Sequence, residues 1–106
     1  MLSILLPRHP YFRDWKSWRA DTPARYRVVL AKLGGVKSVL DIGAAEGYFS
    51  INLAAKGYDV TAIELNPNRA NVLRFFANLR EVSFPVAVED WQSYCARTER
   101  EFDAAI

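Results

Sequence analysis

Chemistry in this sequence concentrates at three places. The first is Asp41-Ile42-Gly43-Ala44-Ala45-Glu46-Gly47, a turn built mostly from small residues. Its backbone can touch a ligand, and the amides of a following helix add partial positive charge. Alone this is a weak signal, because any tight strand-to-helix turn can use glycine for steric reasons. The second is Glu64, which stands 21 positions after Gly43 at the end of a β-rich run. A carboxylate there can accept hydrogen bonds from both hydroxyls of a ribose. The third is Glu89-Asp90-Trp91, where Asp90 can accept from an adenine amine and Trp91 offers an apolar ring to a purine face. Simpler roles stay open for each. Glu64 can be a helix-capping or surface carboxylate, Asp90 can cap a short helix, and Trp91 can belong to the core. Turn and Glu64 together point to an adenosine-bearing ligand.

Other chemistry-bearing residues are sparse. His9 is the single histidine and lies in Pro7-Arg8-His9-Pro10, a loop context that suits a surface role. Cys95 is the single cysteine and reads as a small buried hydrophobe, not a nucleophile. No His or Cys grouping has metal-ligand spacing, and no residue can be named as a catalytic base.

The elements that must position these residues are well punctuated. Thr22-Pro23 offers a capping hydroxyl before a first-turn proline, and 24–33 then runs helically to Gly34-Gly35. The apolar run 36–42 ends at Gly43 and suits a buried strand. A helix over 47–56 with Phe49, Leu53 and Ala54 apolar stops at Gly57, and 59–65 reads as a second strand. Asn66-Pro67 again pairs cap and proline, opening a helix that runs to about Arg80, with Ala70, Leu73, Phe76, Ala77 and Leu79 toward the sheet. Residues 84–88 form a third strand whose Pro85 confines it to an edge or to a start at the proline. A short helix over 90–97 and a fourth strand over 102–106 follow. Strands alternating with helices predict an α/β fold in three layers, a mainly parallel sheet with helices on both faces. Its ligands bind beyond the carboxyl ends of the strands.

At the scale of the chain, 106 residues allow one domain, and 51% apolar with 25% charged residues is ordinary globular composition. One cysteine excludes an intrachain disulfide and suits a reducing compartment, so a cytoplasmic location is expected. The apolar start 1–6 stops at Pro7-Arg8, too short for a membrane span and without a signal peptide's charged front. Charge is lopsided. Residues 1–37 carry eight Lys or Arg against Asp14 and Asp21, a balance of +6 that leaves −4 for the rest of a chain totalling +2. With Tyr11, Phe12, Trp15, Trp18 and Tyr26 interleaved, this leader can grip nucleic acid. It fits better an amphipathic helical segment, over 1–35, that packs its rings on the domain and keeps its charges solvated.

The run 39–50, Val-Leu-Asp-Ile-Gly-Ala-Ala-Glu-Gly-Tyr-Phe-Ser, resembles the first motif of class I S-adenosylmethionine-dependent methyltransferases. Glu64, Glu89-Asp90 and the strand 102–106 follow in the order and spacing of that family's later motifs, so the likeness covers about 36–106. It implies a Rossmann-like sheet of strand order 3-2-1-4, with Pro85 on the outer edge. It also implies S-adenosylmethionine as cofactor. Asp41 and the Gly43 backbone would hold its methionine end, in the turn completed by Ala44, Ala45 and Gly47. Glu64 would take the ribose, Asp90 the adenine amine, and Trp91 with Leu65 the purine. Ala45 departs from the glycine usual there, harmless if its φ stays negative.

Two rival readings remain. A dinucleotide-binding oxidoreductase needs G-x-G-x-x-G, which from Gly43 requires glycine at 45 and 48, where this sequence has Ala45 and Tyr48. A non-catalytic Rossmann-like interaction module is untouched by composition. Since the family's fold continues past a fourth strand, the chain is expected to be the cofactor-binding portion, truncated in or after that strand, with an exposed edge open to self-association. The methyl acceptor, a small molecule or RNA, is not readable.

Overall fold

A computed structural model describes residues 22–106. The leader assigned to 1–35 therefore lies outside the described residues up to position 21, His9 included. In chain order come α1 (Thr22–Leu33), β1 (Ser38–Ile42), α2 (Tyr48–Ala55), β2 (Asp59–Ile63), α3 (Pro67–Arg80), β3 (Val86–Ala87), α4 (Trp91–Arg97) and β4 (Ala104–Ala105). Every element expected within the described residues is present, most with narrower bounds. Thr22 is itself helical and buried, so it does not stand ahead of α1 as a cap.

The sheet has order β3-β2-β1-β4, as expected, and all its pairings are parallel. β1 and β2 run in register from Ser38↔Asp59 to Ile42↔Ile63. β3 joins β2 through Ile63↔Ala87, and β4 joins β1 through Leu40↔Ala105. Pro85 enters the ladder only as an acceptor, its carbonyl taking the Ala62 N–H at 2.9 Å. A residue lacking an N–H is tolerated on that outer strand, and β3 starts just after it.

Strand alternation sorts side chains to two faces. Val39 and Val60 pack with Tyr26 and Leu33 of α1 and Leu53 of α2, while Ala62 meets Leu73 of α3. Leu40 and Ile63 turn the other way, onto Tyr94 of α4. The result is three layers, with α1 to α3 on one face and α4 on the other. In α3, Ala70, Leu73, Phe76 and Ala77 are buried as expected. Leu79 is not: it is 51% exposed, because a step of about 100° per residue rotates it off that stripe. Cys95 is also exposed, since Tyr94 takes the sheet-facing position of α4. The bottom of the sheet is tied by Asp103, whose carboxylate accepts from the Lys37 and Ser38 N–H groups, and by Arg100, which donates to Asp59 and Thr61.

Candidate functional site

The aligned ends of β1, β2 and β3 form one ledge. Ile42, Ile63 and Ala87 share a register line, and neighbouring strands are about 4.8 Å apart, so the outermost two tips are separated by about 10 Å. The turn after β1 is bound down at once. Gly43 and Ala44 N–H both donate to the Ile63 carbonyl, at 2.9 and 3.0 Å, and Glu64 N–H donates to the Ala87 carbonyl at 3.0 Å. The 43–47 turn, Glu64 and the 89–91 segment thus come together on one edge of the sheet.

Within the turn, two glycines are required for different reasons. Gly43 has φ +71, and a Cβ there would meet nothing within 4 Å, so its backbone faces open space. Gly47, with φ +91, starts α2 where a Cβ would lie 2.7 Å from Leu73 Cγ. Ala44 is buried between them, packed with Ala62 and Leu73. Ala45 does not keep negative φ: it sits at +53, in the region that favours glycine. The cause is Glu64. Its Oε1 accepts from the Ala45 N–H at 2.7 Å, and its Oε2 accepts from the Asn66 N–H at 2.8 Å. Glu64, 6% exposed, therefore clamps the 43–47 turn to the start of α3, where Asn66 caps as expected by accepting from Asn68 and Arg69. Each carboxylate oxygen keeps a second lone pair for another donor.

Asp41 is more deeply set. It is 3% exposed, and its Oδ2 accepts from the Ser50 hydroxyl at 2.5 Å. Burial pushes its carboxyl up to about 6, opposed by the Ser50 hydroxyl and N–H and reinforced by the nearby Glu64 charge. Asp90 is the cap of α4, accepting from the Ser93 N–H and hydroxyl, each at 2.8 Å. Those bonds hold its carboxyl below the usual aspartate range. Trp91 is 49% and Leu65 66% exposed, so neither belongs to the core. Both are apolar surfaces standing beside the tips of β3 and β2. Glu89 is drawn aside to Arg97.

One residue escapes sequence reasoning. A cavity of about 80 Å³ beside the turn is lined by Asp41, Gly43, Ala44, Ala45, Glu46, Tyr48 and Phe49, and also by Thr22 and Arg25 of α1. Arg25 is brought there by edge and stacked contacts of Tyr26 with Tyr48 and Phe49, and its guanidinium carbon lies 5.7 Å from the Phe49 ring centroid. Nothing in sequence separates Arg25 from the other cations of the leader. Tyr26 itself is buried, which raises its hydroxyl's pKa. Among the described residues no three His, Cys, Asp or Glu gather as metal ligands, and no helix is long and apolar enough to cross a membrane.

Comparison with known proteins matches residues 9–106 to a family model described as a methyltransferase domain. The glycine/sarcosine N-methyltransferase of Parasynechococcus marenigrum (strain WH8102) is 33% identical over 95 residues, covering 88% of this chain and 33% of that protein. Among solved structures, one concerning conversion of a disulfide bond into a thioacetal group during echinomycin biosynthesis superposes with TM-score 0.65 at 34% identity, covering 76% of this chain and 34% of the other. Monomeric WbdD, called in Escherichia coli an O-antigen chain terminator bifunctional methyltransferase/kinase, gives TM-score 0.65 at 29% identity over 94% of this chain and 26% of its own. The chain spans about a third of the length of the curated N-methyltransferase it matches.

Proposed function

The chain belongs to the class I S-adenosylmethionine-dependent methyltransferase family, and we propose that it binds S-adenosylmethionine across the tips of β1, β2 and β3 for methyl transfer. The observation that carries this reading is the shared register line of Ile42, Ile63 and Ala87, which gathers a bare turn and two carboxylates onto one ledge. The residues fit such a ligand. Open space at Gly43 leaves its backbone free to be approached, and the buried acid Asp41 suits a cationic methionine end. Arg25, on the same cavity, suits the carboxylate of that end by charge-assisted hydrogen bonding.

In this assignment Asp41 and the Gly43 backbone hold the methionine end, within the turn shaped by Ala44, Ala45 and Gly47. Glu64 uses its remaining lone pairs for the ribose hydroxyls, Asp90 takes the adenine amine, and Leu65 and Trp91 cover the purine. When bound, the cofactor supplies an electrophilic methyl on a sulfonium. The chain's own task is to orient that end and exclude water from it. The acceptor is a small molecule or an RNA, the location cytoplasmic. The outer edge of β4, which pairs with no strand among the described residues, is the place for self-association.

Calorimetry tests the assignment. S-adenosylhomocysteine should bind and NAD should not, and Glu64→Gln and Asp90→Ala should each weaken binding by about tenfold, the loss of one good charged hydrogen bond. Preference for NAD would restore a dinucleotide site, and binding of neither would favour an interaction module.

A further inference from the structure

Ser50 has no part in the assignment above, yet it is buried to 0% exposure in the first turn of α2. Packing alone has no use for a hydroxyl there, since its buried helix neighbours are Ile51 and Leu53. Its one hydroxyl bond runs to Asp41 Oδ2 at 2.5 Å, and its N–H reaches the same carboxylate. We propose that Ser50 is a positioning residue of the cofactor site, aiming the Asp41 carboxylate and holding it charged for the cationic methionine end of the ligand; this rests on the cofactor reading given above.

The groups around Asp41 make the role specific. Glu64 faces it from the end of β2 and opposes its ionisation. Arg25 of α1, Glu46 of the turn and Tyr48 of α2 line the same cavity, and Arg69 of α3 reaches Glu46 at 4.0 Å. On the other side of β1, among the described residues, β4 sets Ala104 and Ala105 opposite Val39 and Leu40, and the charged group there, Asp103, is held at the far end of the strand by the Lys37 and Ser38 N–H groups. The donors directed at the carboxylate itself are those of Ser50, and burial already lifts its pKa to about 6. Without the hydroxyl, desolvation and the Glu64 charge go less opposed, and Asp41 keeps its proton to higher pH. A cation then binds only as that proton leaves. The loss is therefore a displaced pH profile, not a uniform one.

The experiment measures S-adenosylhomocysteine binding by calorimetry from pH 5.5 to 8 for the parent chain, Ser50→Ala, Asp41→Asn and the double variant. The parent's affinity should climb with pH and level off above the Asp41 midpoint. In Ser50→Ala that rise should move up by about one pH unit, giving roughly threefold weaker binding at pH 6.5, a loss that grows toward pH 5.5, and near-parent binding at pH 8. On the Asp41→Asn background the pH slope should vanish and Ser50→Ala should add less than about twofold. Equal loss at every pH, or a loss that persists without the Asp41 carboxylate, overturns the proposal. A ligand-free carbon-13 titration of the Asp41 carboxyl separates this idea from the cofactor reading. If no form binds the ligand, that reading fails; an Asp41 midpoint that does not rise in Ser50→Ala sinks the Ser50 role by itself.

Discussion

Asp41 is ionised at neutral pH against the pull of its surroundings, and the pull has a stability consequence. Its folded midpoint of about 6 lies above the ordinary 3.8, so between those values the folded chain binds more protons than the unfolded one. The stabilisation from that uptake is fully present below 3.8 and is lost as pH rises through 6. Above pH 6 the charged carboxylate costs roughly 3 kcal/mol, taking about 1.4 kcal/mol per unit. Asp41→Asn removes the titration. Denaturant unfolding should find this variant more stable than the parent at pH 7 by up to about 3 kcal/mol, with a gap that narrows toward pH 4. Weakened S-adenosylhomocysteine binding should accompany the gain. A parent whose stability rises from pH 4 to 7 relative to the variant would contradict the assignment of Asp41. A buried carboxylate kept at this cost fits the ligand-binding role proposed for Asp41.

Among the elements, the turn joining β1 to α2 is the most constrained. Gly47 combines φ +91 with a Cβ position 2.7 Å from Leu73 Cγ, so Gly47→Ala must strain the backbone and push α3 away. Left-handed strain of about 1–2 kcal/mol and overpacking of about 1–3 kcal/mol predict a loss of roughly 2–5 kcal/mol. Ala45→Gly goes the other way. At φ +53 it relieves strain against a smaller entropy cost, so chemical denaturation should show it neutral or stabilised by up to about 1 kcal/mol. These two substitutions also mark what the sequence makes legible. Asn66-Pro67, Pro85 and the small-residue turn have local causes, and α3, the edge strand and the ledge are readable from them. The sign of φ at Ala45 has a distant cause, a hydrogen bond from its N–H to a carboxylate 19 residues on. Arg25 enters the site through aromatic packing of α1 on α2, and Trp91 stays exposed while Tyr94 takes the core position of α4. No local pattern encodes any of these.

The whole molecule couples the site to the fold through its central strands. β1 lies between β2 and β4, and β2 carries Glu64, which binds the turn after β1 and the start of α3 at once. A ligand on this ledge touches parts of the sheet that no local opening can release separately, so its binding energy must appear in global unfolding. At a ligand concentration one hundred times Kd the folded state gains about 2.7 kcal/mol. For a chain of this size each kcal/mol moves the midpoint by about 4–8 °C, which predicts a rise of roughly 10–20 °C in a single thermal transition with S-adenosylhomocysteine and none with NAD. The same titration on Glu64→Gln separates clamp from contact. If Glu64 served only to hold the turn, the variant would start from a lower midpoint yet show the full ligand-induced rise at matched saturation and an unchanged Kd. A higher Kd with a reduced rise at fixed ligand concentration is the outcome expected of a carboxylate that also meets the ribose.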